Sequence, residues 1–327
     1  MRIVVVEPPP AGSAWLARGP LSVGAFDWRD PDPVATVVVK VTYDIGGDRP
    51  VLAAEQRWIE AGNVAALEAD LWGEVFYPSD LAPHKPEGDV LVVGHAFAVE
   101  REAREIPVRI AVGSMTREVL ARGAAPADRI PLSRSHLLTM NGEHPERVGP
   151  ERIPADKSSR ALASDHDYRV FNAAPEEQRR AWFEPGEEVR LSGLSPRGER
   201  VFALPLERPR VQAAFRGPMP DAELQMIADT LWIDTDRAVM VLVWRGMLGL
   251  LKAGMVERIA VSLEPADTAR PWAEILRSAA RGAFSMSASP DDPSMAPKDD
   301  EERDRIAAAR ADLHARGAAA GAGALAR

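Results

Sequence analysis

The sequence predicts a mainly β protein, an antiparallel β-sandwich or a set of barrel-like sheets with a few short helices and a helical or disordered C-terminal tail. Three observations predict it. Short β-branched runs recur along most of the 327 residues, and Gly, Pro, Asp and Asn clusters punctuate them. Alternation of strands with long amphipathic helices, the mark of parallel α/β folds, is missing from the pattern. From residue 285 onward the composition changes to Ser, Pro, Asp, Ala and Gly.

In chain order, Ile3–Val6 reads as a first short strand, ended by Pro8-Pro9-Pro10, and Leu21–Phe26 as a second. Asp30-Pro31-Asp32-Pro33 is a turn. Val34–Asp44 is the strongest strand of the N-terminal half, because Val37, Val38, Val39 and Val41 favour a pleated, packed surface. Gly46-Gly47 turns the chain back through Val51-Leu52. Asn63–Leu71 reads as a helical turn or two. Ser79–Asp89 contains Pro83 and Pro86, which forbid regular structure over its length. It feeds a strand over Val90–Val99 with Gly94 as a bulge or close approach. Ile106–Val112 and Met115–Leu120 form a hairpin through Gly113-Ser114, and 124–165 reads as an irregular connection.

The densest stretch runs from Asp167 to Leu194. Tyr168, Val170 and Phe171 read as the end of a strand. Asn172 can cap a following helix through its side-chain oxygen, Pro175 suits the first turn, and Glu176 and Glu177 complement the helix dipole. A short helix then ends near Glu184-Pro185-Gly186, and a strand starts at Val189. The stretch is either a structural clamp or a site. Further strands are expected at Arg200–Leu204, Pro209–Phe215, Leu224–Ile233, Ala238–Met247 and Val256–Leu263. These elements place a β-rich domain at 1–284, with 1–123 and 165–284 as possible halves. Residues 285–327 form a linker and a helix-prone low-complexity tail, whose apolar stripe (Ile306, Leu313) is too thin for a stable lone helix.

Composition excludes several functions. A formal net charge of -9 argues against a general nucleic-acid binder. The absence of cysteine removes disulfides, thiolate metal sites and a cysteine nucleophile. No run approaches the roughly 20 apolar residues of a membrane helix, and Ile3–Val6 is too short for a secretory core, so a cytoplasmic location is expected. The six histidines show no metal spacing, and no phosphate loop, dinucleotide fingerprint or nucleophile elbow occurs. No catalytic, cofactor-binding or metal-ligating residue is assigned, and no cofactor is expected. An enzyme of the metal-dependent or carbohydrate-active β-sandwich kind would draw on His84, Asp165, His166, Asp167 and Glu187. A structural part of a phage-tail-like injection particle is a third class.

Several blocks carry a family resemblance. They are Val37–Asp44, which holds Lys40; the loop with Asp80, Lys85, Pro86 and Asp89, followed by Gly94-His95-Ala96; Tyr168-Arg169-Val170-Phe171-Asn172-Ala173-Ala174-Pro175-Glu176-Glu177-Gln178; Leu191–Leu194; Asp229–Asp234; and Val243-Trp244-Arg245-Gly246. Together, over about residues 20 to 265, they resemble domain-of-unknown-function family 2169, a bacterial family linked to type VI secretion. The family's Trp-Glu-Arg to Phe-Gly-Gly segment is reduced or lost here, where Ile130–Ser135 stands. The resemblance implies a non-enzymatic adaptor or chaperone that holds a secreted effector and helps load it onto a VgrG or PAAR spike. It marks Lys40, Asp80, Lys85, Pro86, Asp89, Tyr168, Arg169, Phe171, Asn172, Pro175, Gln178, Trp244 and Arg245 as motif or partner-binding candidates. A strand edge or the Ser79–Asp89 loop is the expected contact surface.

Overall fold

A computed structural model describes residues 2–6, 15–18, 21–27, 34–60, 64–65, 75–98, 102–132, 168–217, 220–250, 255–266 and 271. The chain divides into two compact units, 1–287 and 288–327, and the second lies outside the described residues, as does the expected tail helix.

The fold is mainly β. In chain order the strands are β1 (Arg2–Val6), β2 (Trp15–Arg18), β3 (Ser22–Asp27), β4 (Val34–Asp44), β5 (Val51–Leu52), β6 (Val64–Ala65), β7 (Val75–Tyr77), β8 (Gly88–Val93), β9 (His95–Phe97), β10 (Ala103–Val112), β11 (Met115–Ala127) and β12 (Arg129–Pro131). They continue with β13 (Arg179–Arg180), β14 (Glu188–Ser192), β15 (Arg200–Ala203), β16 (Glu207–Phe215), β17 (Ala222–Leu224), β18 (Ile227–Asp234), β19 (Val239–Gly249) and β20 (Val256–Pro265). A central eight-stranded sheet has the order β13-β8-β18-β19-β4-β3-β2, with β5 added on β4. Two four-stranded sheets, β1-β20-β16-β17 and β11-β10-β14-β15, accompany it. Two short pairs, β12-β9 and β6-β7, complete the pattern.

The central sheet is mixed, not purely antiparallel. β8 runs parallel to β18, with Asp89 opposite Thr230 and Val93 opposite Asp234. A parallel pair needs a long crossover, and here the whole stretch between residues 93 and 227 supplies it.

This sheet is buried on both faces, which explains its near-continuous apolar runs. On one face Val37, Val39, Val41, Val90, Val92, Leu231, Ile233, Leu242 and Trp244 join a core shared with Ile106, Val108, Ile110, Val189, Leu191, Val211 and Ala213 of the four-stranded sheets. On the other face Val38, Leu91, Val93, Trp232, Val241 and Val243 form a smaller core. Among the described residues that second face is covered mainly by irregular chain: Ile59, Leu81, Ala82, Ala173 and Ala174 pack onto it, with Tyr77 from the end of β7 and Phe171 from a 3-10 turn.

Several sequence expectations change. Tyr168–Phe171 is a 3-10 turn, not a strand end, and the expected helix after Asn172 is only a 3-10 turn at Glu176–Gln178. The chain then runs straight into β13, because it must lay two residues along the edge of β8. The strand expected over Val90–Val99 breaks at Gly94, whose φ of 110° is closed to other residues, into β8 and β9. Leu224–Ile233 is likewise two strands, since β17 and β18 belong to different sheets. β11 reaches Ala127, well past Leu120, and β12 lies inside the expected irregular connection. Of Asn63–Leu71 only Val64 and Ala65 are described, and they form β6.

A Cβ at Gly94 would stand 2.4 Å from Thr235 Oγ1, whereas one at Gly198 (φ 88°) meets nothing within 4 Å. Gly198→Ala isolates the backbone term, expected at about 1 kcal/mol or slightly more. Gly94→Ala should cost clearly more, roughly 2–4 kcal/mol from strain plus the clash. Urea unfolding of the two variants checks the order.

Candidate functional site

The motif residues converge on the loop-covered face of the central sheet. A β-strand alternates faces, so Ser22 of β3 and Thr36, Lys40 and Thr42 of β4 share the parity of the smaller core. So do Asp89 of β8, Thr230 and Asp234 of β18, and Arg245 of β19. All eight are buried. Asp229 joins them because the β18–β19 register shifts between Ala228 and Thr230.

Irregular chain has no ladder to satisfy its own N–H and C=O groups, and a buried one left unpaired is costly. The polar positions of the sheet meet that demand. Ser22 Oγ donates to the Arg57 carbonyl at 2.6 Å, and Thr36 Oγ1 to the Pro83 carbonyl at 2.8 Å. The Arg57 N–H donates to Thr42 Oγ1 at 2.9 Å, and the Gln56 amide brackets the Thr42 backbone. Arg245 Nη2 donates to the Asp80 carbonyl at 2.8 Å.

Three ion pairs with both partners buried anchor the cover. In the first, Lys40 Nζ lies 2.8 Å from Asp80 Oδ2 and 2.5 Å from the Trp58 carbonyl, over the Tyr77 ring at 3.8 Å. Asp80 also accepts from the Tyr77 hydroxyl at 2.7 Å and the Glu60 N–H at 2.7 Å. In the second, Lys85 Nζ bonds Asp89 Oδ2 at 2.7 Å and Thr230 Oγ1 at 2.8 Å. Asp89 further accepts from Asn172 Nδ2 at 2.9 Å and the Ala173 and Ala174 N–H groups at 2.9 and 3.3 Å. In the third, Arg245 pairs with Asp229, and Asp229 also accepts from Thr230 Oγ1. Gln178 closes the set by donating to the Val90 carbonyl at 2.8 Å.

Burial and pairing set the electrostatics. Burial pushes the Lys40 ammonium below the ordinary lysine range, and neighbouring Asp80 pulls it back up. Burial and Asp80 together push the Tyr77 phenol well up. Burial also raises the Glu60 carboxyl and lowers the Arg57 guanidinium. Each buried cation has its anion, so none stands as an isolated charge.

The structure therefore places Lys40, Asp80, Lys85, Asp89, Asn172 and Arg245 in one buried network, with Gln178 buried beside it on the β8 backbone. Lys85, on a loop where lysines are usually in water, is only 2% exposed. Asn172 caps no helix; its side chain donates to Asp89 and to the Glu87 carbonyl at 2.8 Å. Phe171 and Pro175 are buried beside the network, Pro86 and Tyr168 are half-buried, and Arg169 is exposed. Trp244 points to the opposite face, into the larger core. Residues 78–83 are buried throughout, so the Ser79–Asp89 loop is a cover on the sheet, with His84, Pro86 and Glu87 half-buried at its outer side. Of the residues an enzyme would use, Glu187 is bound to Arg180 at 2.5 Å and His84 stacks edge-on against Tyr168. Asp165, His166 and Asp167 lie outside the described residues. Among the described residues no group of His, Asp and Glu is arranged to hold a metal ion, and no helix is long and apolar enough to cross a membrane.

Sequence reading missed Thr36, Thr42, Gln56, Tyr77 and Asp229 as members of the network. A signal was present for the first two, since polar side chains interrupt a strand that is otherwise apolar on both parities.

Comparison with known proteins gives one match. The profile of a family described as "Uncharacterized protein conserved in bacteria (DUF2169)" matches residues 30–126 and 123–245. No curated protein and no solved structure matches the chain.

Two outcomes test the network. Asp89→Ala strands Lys85 and three further donors, and should destabilise by about 3–5 kcal/mol. Lys85→Met with Asp89→Ala together should cost less than the sum of the singles, which a double-mutant cycle in urea measures. The second outcome concerns pH. Burial lowers the pKa of His84 from its usual 6.5. The unfolded chain then takes up the proton first, so stability should fall as pH drops through the unfolded pKa and level off below the folded one. In His84→Gln that part of the pH dependence should vanish, as read by chemical denaturation at a series of pH values.

Proposed function

The chain belongs to the DUF2169 family, and from that premise we propose that it is a non-enzymatic adaptor or chaperone of type VI secretion. In this reading it acts in the cytoplasm, holds a secreted effector, and helps seat it on a VgrG or PAAR spike protein. The family-specific blocks carry the reading, since the link to secretion comes from resemblance to that family. The geometry is compatible with it. Lys40, Asp80, Lys85, Asp89, Asp229 and Arg245 of the blocks are engaged by one another and by loop backbone, an arrangement that stiffens a scaffold. A stiff scaffold suits a protein that must present a surface to a partner without reorganising, because preorganisation lowers the ordering cost of binding.

The test is recovery of the tagged full chain from its native host, with bound proteins identified by mass spectrometry. A spike protein or a toxin encoded nearby should co-purify. A folded, abundant bait that brings down neither overturns the reading. Because Asn172 is buried, Asn172→Ala should lose about 1–3 kcal/mol of stability, and any loss of partner binding should follow the fraction unfolded. Binding lost from a fully folded variant would show instead that Asn172 contacts the partner.

A further inference from the structure

A cleft of about 620 Å³ opens between the segment Trp182–Pro185 and the edge formed by β16, β17 and the start of β18. Its lining includes four buried side chains, Phe183, Leu224, Ala228 and Trp244, which all belong to the larger core. Trp182 and Met226, also in the lining, are half-buried. An apolar-floored cleft of this size holds one or two large side chains of a ligand.

Two arginines, two residues apart on β16, line the cleft. Arg210 is held by carboxylates already, donating to Glu223 at 2.8 and 2.9 Å and lying 3.6 Å from Glu264. Arg208 is exposed and has no ion pair among the described residues. Across the lining, the exposed Glu184 is a carboxylate with no ion pair among the described residues. The apolar floor is thus flanked, on different segments, by an exposed cation and an exposed anion that have no ion pair among the described residues. That pair of charges would orient an extended ligand end to end, because a planar guanidinium selects a carboxylate. The sheet edges beside the cleft are short: β17 pairs with only three residues of β16, and Trp182–Pro185 meets β18 through a single bridge at Phe183.

We propose that this cleft docks an extended segment of a partner protein, in which a large apolar residue seated on the Phe183–Trp244 floor is flanked by an acidic residue at Arg208. The inference rests on the adaptor reading for the identity of the partner, and on the cleft alone for the chemistry of the segment. Trp182 and Met226 supply the apolar contacts, Arg208 the carboxylate contact, and Glu184 favours a basic residue on the other flank. The central network lies on the far face of the sheet and takes no part.

Random peptides displayed on phage, selected against the full folded chain, test this directly. The selected sequences should converge on a large apolar residue with Asp or Glu nearby. A synthetic peptide of that sequence should bind at least about tenfold more weakly to Trp182→Ala and to Arg208→Glu, a difference of about 1.4 kcal/mol. Selection repeated on Arg208→Glu should change the flanking acid to Lys or Arg, an outcome that general destabilisation cannot produce. Failure to converge, or convergence on sequences that bind both variants as well as the parent, overturns the proposal. Co-purification of a native spike or toxin with Arg208→Glu at parental yield would overturn the cleft as its docking site and leave the adaptor reading standing.

Discussion

The Asp89 carboxylate is the point on which this structure turns. It is the second residue of β8, and it receives a lysine, an asparagine amide and two backbone N–H groups. The reason for so many donors is architectural. A sheet buried on both faces needs a second layer, and here one of those layers is irregular chain. Helices and strands bring their own hydrogen bonds; loops do not. The bonds must come from the sheet, and so one parity of an apolar sheet carries Ser, Thr, Lys, Asp and Arg.

Buried ion pairs are weak evidence of stability in themselves, since desolvation offsets much of the attraction. What they achieve here is registration. Lys40 fixes Trp58 and Asp80, Arg245 fixes the Asp80 carbonyl, and Asp89 fixes residues 172–174, so three separate stretches of loop have one position each. An all-apolar face would hold the same chain by area alone and would tolerate many placements. The three pairs are neutral as a set, and the buried Asp234 of the same face meets Arg57 and Arg237 at 3.7 and 2.8 Å.

Much of the fold was legible. Val34–Asp44 emerged with its bounds intact, and the hairpin through Gly113-Ser114 with its turn, because β-branched runs and glycine turns are local signals. The parallel pairing of β8 with β18 was not legible, because nothing local to Val90 specifies a partner some 140 residues away. The turn at Glu176–Gln178 misled for a related reason. Asn172, Pro175 and two acids form a proper helix start, yet Asn172 is claimed by Asp89, and the chain must reach β13 within a few residues. Tertiary demand overrode propensity.

Lys40 shows what the sequence offers when it is read on both parities at once. Val37, Val39 and Val41 bury one face of β4, and Val38 buries the other, so the strand has no side facing water. A lysine in such a strand cannot reach solvent, and its partner must be an acid carried by whatever covers the sheet. Asp80, on the proline-broken loop that covers the sheet, is that acid. The motif lysines, acids and amides are thus the fastenings of a covering layer. Residues that decide partner choice are then to be sought where the chain is not fastened, and the cleft beside Arg208 is such a place: apolar at its floor, polar and charged around it, and on the opposite face of the sheet from the network that holds the fold.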